Sequence, residues 1–249
     1  MTHSTKGIIL RTIRYGETSL VVTIFTELFG VQAYMVNGIR SAKKTGLKAA
    51  MYQPSAILDL EVYHNDLKAM HRIREANWSL LYQHILTDVV RNSIAVFMME
   101  LLYKTLRQPE QNTDLFYFTE DCLLHLDREE KGVVANMALF FTLQLAHFFG
   151  LRLENAPPAY LQDEEPFYLD LQEGYFTCDA PPHALVLEGQ LARLTAELLQ
   201  VTHPSDLNQV TMNHLQRREL IGKYLEFYTL HVPDFGQMKT LSIMQEVLG

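Results

Sequence analysis

Over the first 75 or so positions, apolar and polar residues alternate in short runs separated by turn residues. Residues 7–14, GIILRTIR, are apolar and β-branched, and YGET then supplies a turn, which predicts a strand. In 19–25, SLVVTIF, residues Leu20, Val22 and Ile24 fall on one face and Val21, Thr23 and Phe25 on the other. Gly30 breaks the chain, and VQAYMVNG at 31–38 alternates again. SAILDLEVYH at 55–64 sets Leu58, Leu60 and Val62 against Asp59, Glu61 and Tyr63. Asn65-Asp66 reads as a turn, and LKAMHRIRE at 67–75 completes a hairpin. Five short strands in so few residues suit a small closed or nearly closed barrel, for which the OB-fold is the commonest five-stranded candidate.

After Trp78 the spacing changes to three and four. Leu81, Ile85, Val89, Ile94, Phe97, Met98, Leu101 and Leu102 predict a helix over 79–110, stopped at Pro109. Residues 113–127 form a second helix, with Asp114 near its start where an acid suits the dipole. Glu130–Gly150 is a third, with Gly150 placed to end it. Between 155 and 183 the period is lost. Pro157, Pro158, Pro166, Pro181 and Gly174 predict an irregular stretch with a short hairpin, FYLDLQ and GYFTC. Helices resume over 184–200, 205–231 and 241–248. The fold class is therefore α+β in two domains: a five-stranded OB-fold barrel over 1–78, then an all-α domain over 79–249 with an irregular insertion at about 155–183.

Composition agrees with a folded chain of this kind: 249 residues, 48% hydrophobic and 20% charged. Cys122 and Cys178 are far apart and form no C-x-x-C, so neither a disulfide framework nor a cysteine zinc site is expected. That usage fits a reducing, cytoplasmic compartment. The N-terminus lacks the long apolar core of a signal peptide. Residues 132–151 hold no charged side chain over a length that could span a bilayer. They do carry Asn136, Thr142, Gln144 and His147, and no aromatic or basic belt frames both ends. A central helix buried on all sides is the reading, with no membrane partner.

Charge divides the chain. Residues 1–78 hold ten Lys/Arg against six acids, whereas the whole protein has net charge −8. From Leu28 to Leu58 there is no acid at all, and Arg40, Lys43, Lys44 and Lys48 stand between Gly38 and the fourth strand. No phosphate-loop, zinc-protease or serine-hydrolase motif occurs. His64 and His71, either side of the hairpin turn, read as surface polar residues, and Asp163, Glu164 and Glu165 as a solvated loop. Nothing points to an enzyme. A basic loop on a barrel with exposed tyrosines suits single-stranded nucleic acid, the cations following the backbone and the rings stacking on bases. Two plainer readings stand beside it: tyrosines that are half core, and lysines that are simply solvated.

The stretch from residue 7 to 63 closely resembles the RecO family of bacterial recombination mediators. The resemblance is carried by Arg14-Tyr15-Gly16-Glu17-Thr18-Ser19-Leu20, Phe25-Thr26, Gly30, Asn37-Gly38-Ile39-Arg40-Ser41 with basic residues following, and Gln53-Pro54. FFGLRLENAPP at 148–158 and the tail from Tyr224 are similar in kind. The resemblance implies an OB-fold and a helical domain, binding of single- and double-stranded DNA, strand annealing, and help for RecA on strands coated with single-strand-binding protein. RecR and the acidic, apolar tail of the single-strand-binding protein are the implied protein partners. Many members carry a four-cysteine zinc module in the region matching 155–183; here only Cys178 remains, so no cofactor is expected. Taken with the charge pattern, the phosphate-contacting residues are assigned as Arg14, Arg40, Lys43, Lys44 and Lys48, with Arg11, Lys68, Arg72 and Arg74 as a second tier. Tyr34 is the first choice for base stacking and Tyr15 the next. Arg217, Arg218 and Lys223, beside Leu220 and Tyr224, are the candidate partner groove, against the alternative of a solvated helix face. The competing function is an OB-fold protein-interaction module with no direct DNA role.

Overall fold

The computed structural model describes residues 2–39, 50–65, 67–106, 108–151, 153–156 and 166–248. The chain divides into two compact units, Met1–Asp127 and Arg128–Gly249.

In the first unit, five strands close a barrel: β1 (Thr2–Tyr15), β2 (Ser19–Thr26), β3 (Gly30–Val36), β4 (Ile57–Tyr63) and β5 (His71–Trp78). They run in the order β1-β2-β3-β5-β4, and β1 pairs with β4 to close the ring. This OB-fold-like barrel is the one the alternation predicts. One long strand serves both edges: the first half of β1 pairs β4 and the second half pairs β2, with a register shift between Ile9 and Arg11 where the strand bends. Gly7 sits where the two pairings meet, and a Cβ there would lie 2.6 Å from Ile24 Cγ2. The interior is filled by Ile9, Val22, Ile24, Tyr34, Leu58 and Val62, all fully buried. Apolar side chains alternate inward along each strand, so their burial is what holds the ring shut.

Two helices pack on this barrel, α1 (Val89–Thr105) and α2 (Thr113–Arg128). Phe25 of β2 meets Phe116 of α2 at 5.5 Å between ring centres. Lys6 donates to Glu120 at 2.8 Å, and the Tyr117 hydroxyl donates to Glu27 at 2.6 Å. Gly30 opens β3 with φ 62°, in the left-handed region. That conformation is costly for any side chain. A Cβ at this position would also lie 2.2 Å from the Glu110 carbonyl oxygen. Gly30→Ala is therefore expected to lower stability by about 3 kcal/mol, the sum of left-handed strain and a clash against backbone that cannot rotate away. Urea denaturation measures it, and a midpoint equal to wild type rules the contact out.

The predicted helix over 79–110 is shorter than its spacing implied. Residues 79–88 are irregular, because the Asp127 carboxylate accepts the backbone N–H groups of Gln83, His84 and Ile85 at 2.8–2.9 Å. Asp88 then caps α1 by accepting the Arg91 N–H at 3.1 Å. Leu81 and Ile85 matched a helical period inside a segment whose amide groups are committed elsewhere. Likewise β5 begins at His71 and not at 67: Asn65 Oδ1 accepts from Leu67 N and the Asn65 carbonyl from Lys68 N, both at 2.9 Å, so the turn is wider.

The second unit is built on α3 (Lys131–Phe148), which is buried over most of its circumference. The polar residues within it are satisfied. Asn136 donates to the carbonyls of Leu207 and Val210 at 2.9 and 2.8 Å, and the Thr142 hydroxyl donates to the Ala138 carbonyl at 2.7 Å. Among the described residues no helix is long and apolar enough to cross a membrane. β6 (Tyr168–Asp170) and β7 (Tyr175–Thr177) form the predicted hairpin. A third strand, β8 (Val186–Glu188), pairs with β6 where helix was expected, and α4 (Gly189–Gln200) starts after it. The predicted helix over 205–231 divides into a 3-10 turn, Pro204–Gln209, and α5 (His214–His231). Asn213 and Gln216 form a reciprocal capping box that fixes the start of α5. α6 (Thr240–Leu248) ends the chain as predicted.

Candidate nucleic-acid interface

Cross-strand partners in a sheet point to the same side. On the barrel, Ile13 pairs Val21, Val21 pairs Met35, Met35 pairs Arg72 and Arg72 pairs Tyr63. These five residues form one row that crosses all five strands on the outer surface. The adjacent inner row holds Tyr34 and His71, which pair with each other and are 0% and 4% exposed. The outer row ends in a concavity of about 600 Å³ lined by Met35, Tyr63, His64, Asn65, Lys68, Met70, His71 and Arg72. A second one of about 860 Å³ adjoins it, sharing His64, Lys68 and His71 and extending over Phe29, Gln32 and Leu67. Lys68 and Arg72 are exposed, and no carboxylate lines either hollow among the described residues.

A stack of rings forms the wall between them. Phe29 lies on His64 at 3.9 Å and 11°, and His64 lies on His71 at 4.6 Å and 24°. Gln32 Nε2 donates to the Phe29 carbonyl at 2.8 Å, so Gln32 Oε1 accepts from His71 Nε2 at 3.0 Å. The two histidines are thus built into the wall, which corrects their reading as surface polar residues. The pairing of β3 with β5 brings them together, and residue spacing carries no sign of it.

The predicted phosphate-contacting residues fall into four groups. Arg40, Lys43, Lys44 and Lys48 lie outside the described residues. Lys68 and Arg72 meet at the concavity. Arg14 and Tyr15 are exposed at the β1–β2 turn, Tyr15 by 59%. Arg11 and Arg74 are engaged elsewhere: Arg11 donates to the Tyr103 hydroxyl at 3.0 Å, and Arg74 pairs with Glu61 at 3.2 Å. Tyr34 is corrected outright. Its ring is fully buried in the barrel, and burial pushes its hydroxyl well above the ordinary phenol range, so it presents no face to a base. Tyr63 is 51% exposed and lies on the outer row beside Arg72.

The candidate partner groove in the second unit changes in a similar way. Tyr224 is 1% exposed and its hydroxyl bonds Thr195 at 2.8 Å, so it is a core residue and not a contact. Lys223 pairs with Glu226 at 3.0 Å. Arg217 is half-buried and donates through Nε to Asn136 Oδ1 at 2.8 Å. Burial lowers its guanidinium's affinity for a proton. Arg217 and the exposed Arg218 do share a pocket of about 190 Å³ with Leu139, Leu215, Ile221 and Met244. Sequence reasoning missed the contribution of Met244, because the docking of α6 is not visible in residue spacing.

Two family models match the chain: Recombination protein O N terminal over residues 1–82 and Recombination protein O C terminal over residues 86–240. The chain is 30% identical over 248 residues to the DNA repair protein RecO of Bacteroides fragilis, covering 99% of both chains. It is 29% identical over 248 residues to that of Azobacteroides pseudotrichonymphae, again 99% of both, and 28% identical over 249 residues to that of Phocaeicola vulgatus, covering all of both.

Proposed function

The chain belongs to the RecO family, and on that premise we propose that it binds single- and double-stranded DNA through the barrel, anneals complementary strands and helps RecA load onto strands coated with single-strand-binding protein. The observation that carries this reading is the outer row of the barrel ending in the hollow where Lys68 and Arg72 stand with no carboxylate beside them among the described residues. Cations on an open surface bind phosphate with little geometric demand and gain from counterion release. Arg14 and Tyr15 at the β1–β2 turn, and Arg40, Lys43, Lys44 and Lys48, which lie outside the described residues, are taken as further contacts, in a protein acting in the cytoplasm. The work is binding and pairing of strands, not bond cleavage.

The acidic, apolar tail of the single-strand-binding protein is assigned to the pocket beside Arg217 and Arg218, where charge and apolar lining complement such a peptide. RecR is taken as the second protein partner. Zinc has no part in this reading. Of a four-cysteine set only Cys178 is present, so the residues do not fit the metal. The hairpin has other means of support: Phe167 stacks on Phe176 at 5.1 Å, and buried Asp170 accepts from His183 at 3.1 Å.

Strand annealing with and without the cognate single-strand-binding protein tests both halves. Wild type is expected to anneal bare and coated strands. Arg218→Glu is expected to keep the first activity and lose most of the second, roughly tenfold in rate, since Arg218 is exposed whereas Arg217 is tied to Asn136. Loss of both activities, or of neither, removes the pocket from the partner site. Capture of a protein partner with no DNA binding at low salt identifies an interaction module.

A further inference from the structure

We propose that the hollow between Met35 and Tyr63 holds one unpaired nucleobase, with Tyr63 as its stacking surface and Arg72 and Lys68 on the flanking phosphates. The proposal rests on the reading that the barrel binds DNA, and it says what makes that surface prefer unpaired strands.

Three rings line the hollow: Tyr63, His64 and His71. His64 has Phe29 on one face and His71 on the other, so neither of its faces is open to a base. His71 is 4% exposed. Tyr63 alone among them is a large exposed ring, and it closes the outer row beside Arg72. Arg72 stands between Tyr63 and Met35 on neighbouring strands, so sheet pairing sets the spacing of cation, ring and thioether. Met35 and Met70 also line the hollow with polarizable apolar surface, which adapts to a flat heterocycle. His64 and Asn65 add polar groups to the lining. Aromatic face, soft apolar surface, polar groups and two cations together match the parts of a nucleotide.

The arrangement also discriminates. In a duplex both faces of each base are covered by its neighbours, so only the phosphates are offered to Lys68 and Arg72. In a single strand a base can turn out and lie on Tyr63. Stacking on an aromatic side chain is tolerant of base identity. The hollow therefore selects unpaired DNA without selecting sequence.

Fluorescence anisotropy tests this with three probes: a thymidine oligonucleotide, the same oligonucleotide carrying abasic sites, and a duplex of equal length. Tyr63→Ala is expected to weaken the thymidine strand about tenfold, to leave the duplex unchanged, and to leave the slope of log K against log salt unchanged because no phosphate contact is lost. Tyr63→Phe keeps wild-type affinity. The abasic strand binds wild type about tenfold more weakly than the thymidine strand, and Tyr63→Ala causes no further loss. Single-strand binding indifferent to Tyr63→Ala, or an equal loss on duplex, overturns the pocket and leaves the DNA reading standing. Wild-type protein that binds neither strand overturns both. Because Tyr63 is exposed, the alanine variant keeps its fold, and an unchanged far-ultraviolet circular dichroism spectrum verifies that.

Discussion

Reversing Lys68 and Arg72 together to glutamate is expected to lower single-strand affinity roughly 100-fold at low salt, the largest effect of any surface change on the described part of the barrel. Both side chains are exposed at one hollow, with no acid among its described lining residues, so their charge is available to a phosphate. If each contacts one phosphate, their removal flattens the slope of log K against log salt by about 1.4 for single strands. Duplex binding falls alongside, because phosphates are presented by paired and unpaired strands alike. That shared loss separates the cations from Tyr63, whose effect is confined to unpaired DNA. Arg74→Glu is the internal control. Arg74 lies outside the lining of the hollow and pairs with Glu61 across β4 and β5, so a change of no more than about threefold is expected. Titrations by anisotropy at several salt concentrations give both the affinities and the slopes. Wild-type affinity in the double variant removes the hollow from the interface and leaves the loop cations Arg40, Lys43, Lys44 and Lys48 to account for binding.

The architecture of the barrel was legible because alternation and burial are the same fact there. On β4, Leu58, Leu60 and Val62 alternate with Asp59, Glu61 and Tyr63, and the apolar face is inside; on β2, Leu20, Val22 and Ile24 are inside, and Phe25 on the other face is covered by Phe116. β3 was the ambiguous strand. Val31, Ala33 and Met35 face one way and Gln32, Tyr34 and Val36 the other, and each set mixes characters. Pairing decides the matter: Tyr34 lies opposite Val22 and His71, both inward, and Met35 opposite Val21 and Arg72, both outward. Tyr34 is therefore inward, against the stacking role assigned to it, and Met35 is outward. Tyr224 was misread for the matching reason on a helix, where its position beside Arg217 and Lys223 in sequence says nothing of which face meets α4.

The cations were legible as a class, since charge counts need no structure. What the sequence lacked was their pairing. Arg11 with Tyr103, Arg74 with Glu61 and Arg217 with Asn136 are contacts between residues far apart in the chain, and each changes a free charge into an engaged one. The missed linker at 79–88 has a similar origin. Its apolar spacing fits a helix, yet a carboxylate more than 40 positions away takes the amide groups the helix would use.

That carboxylate carries the second large effect. Asp127→Ala is expected to destabilise the barrel unit by about 3 kcal/mol, because three backbone N–H groups lose a charged acceptor. Asp127 itself is 2% exposed, and of the three residues it holds Ile85 is buried as well. Asp127→Asn keeps one carbonyl acceptor and is expected to cost less, about 1–2 kcal/mol. The pH dependence follows from the same contacts. Burial acts to raise the carboxyl, but hydrogen bonds from Gln83, Ile85 and His84 outweigh it, and the folded-state value lies below the ordinary one of 3.8. A carboxyl depressed on folding stabilises the protein fully above its unfolded value, and that contribution is lost as pH falls through the folded value. The stability gap between wild type and Asp127→Asn should thus be constant from pH 7 to about 5 and shrink below about pH 4. Urea melts across that range give the gap, and one that stays level down to about pH 2 overturns the assignment. The residue touches no part of the hollow, so folded Asp127→Asn should bind DNA with the wild-type salt slope, which separates damage to the scaffold from damage to the surface it carries.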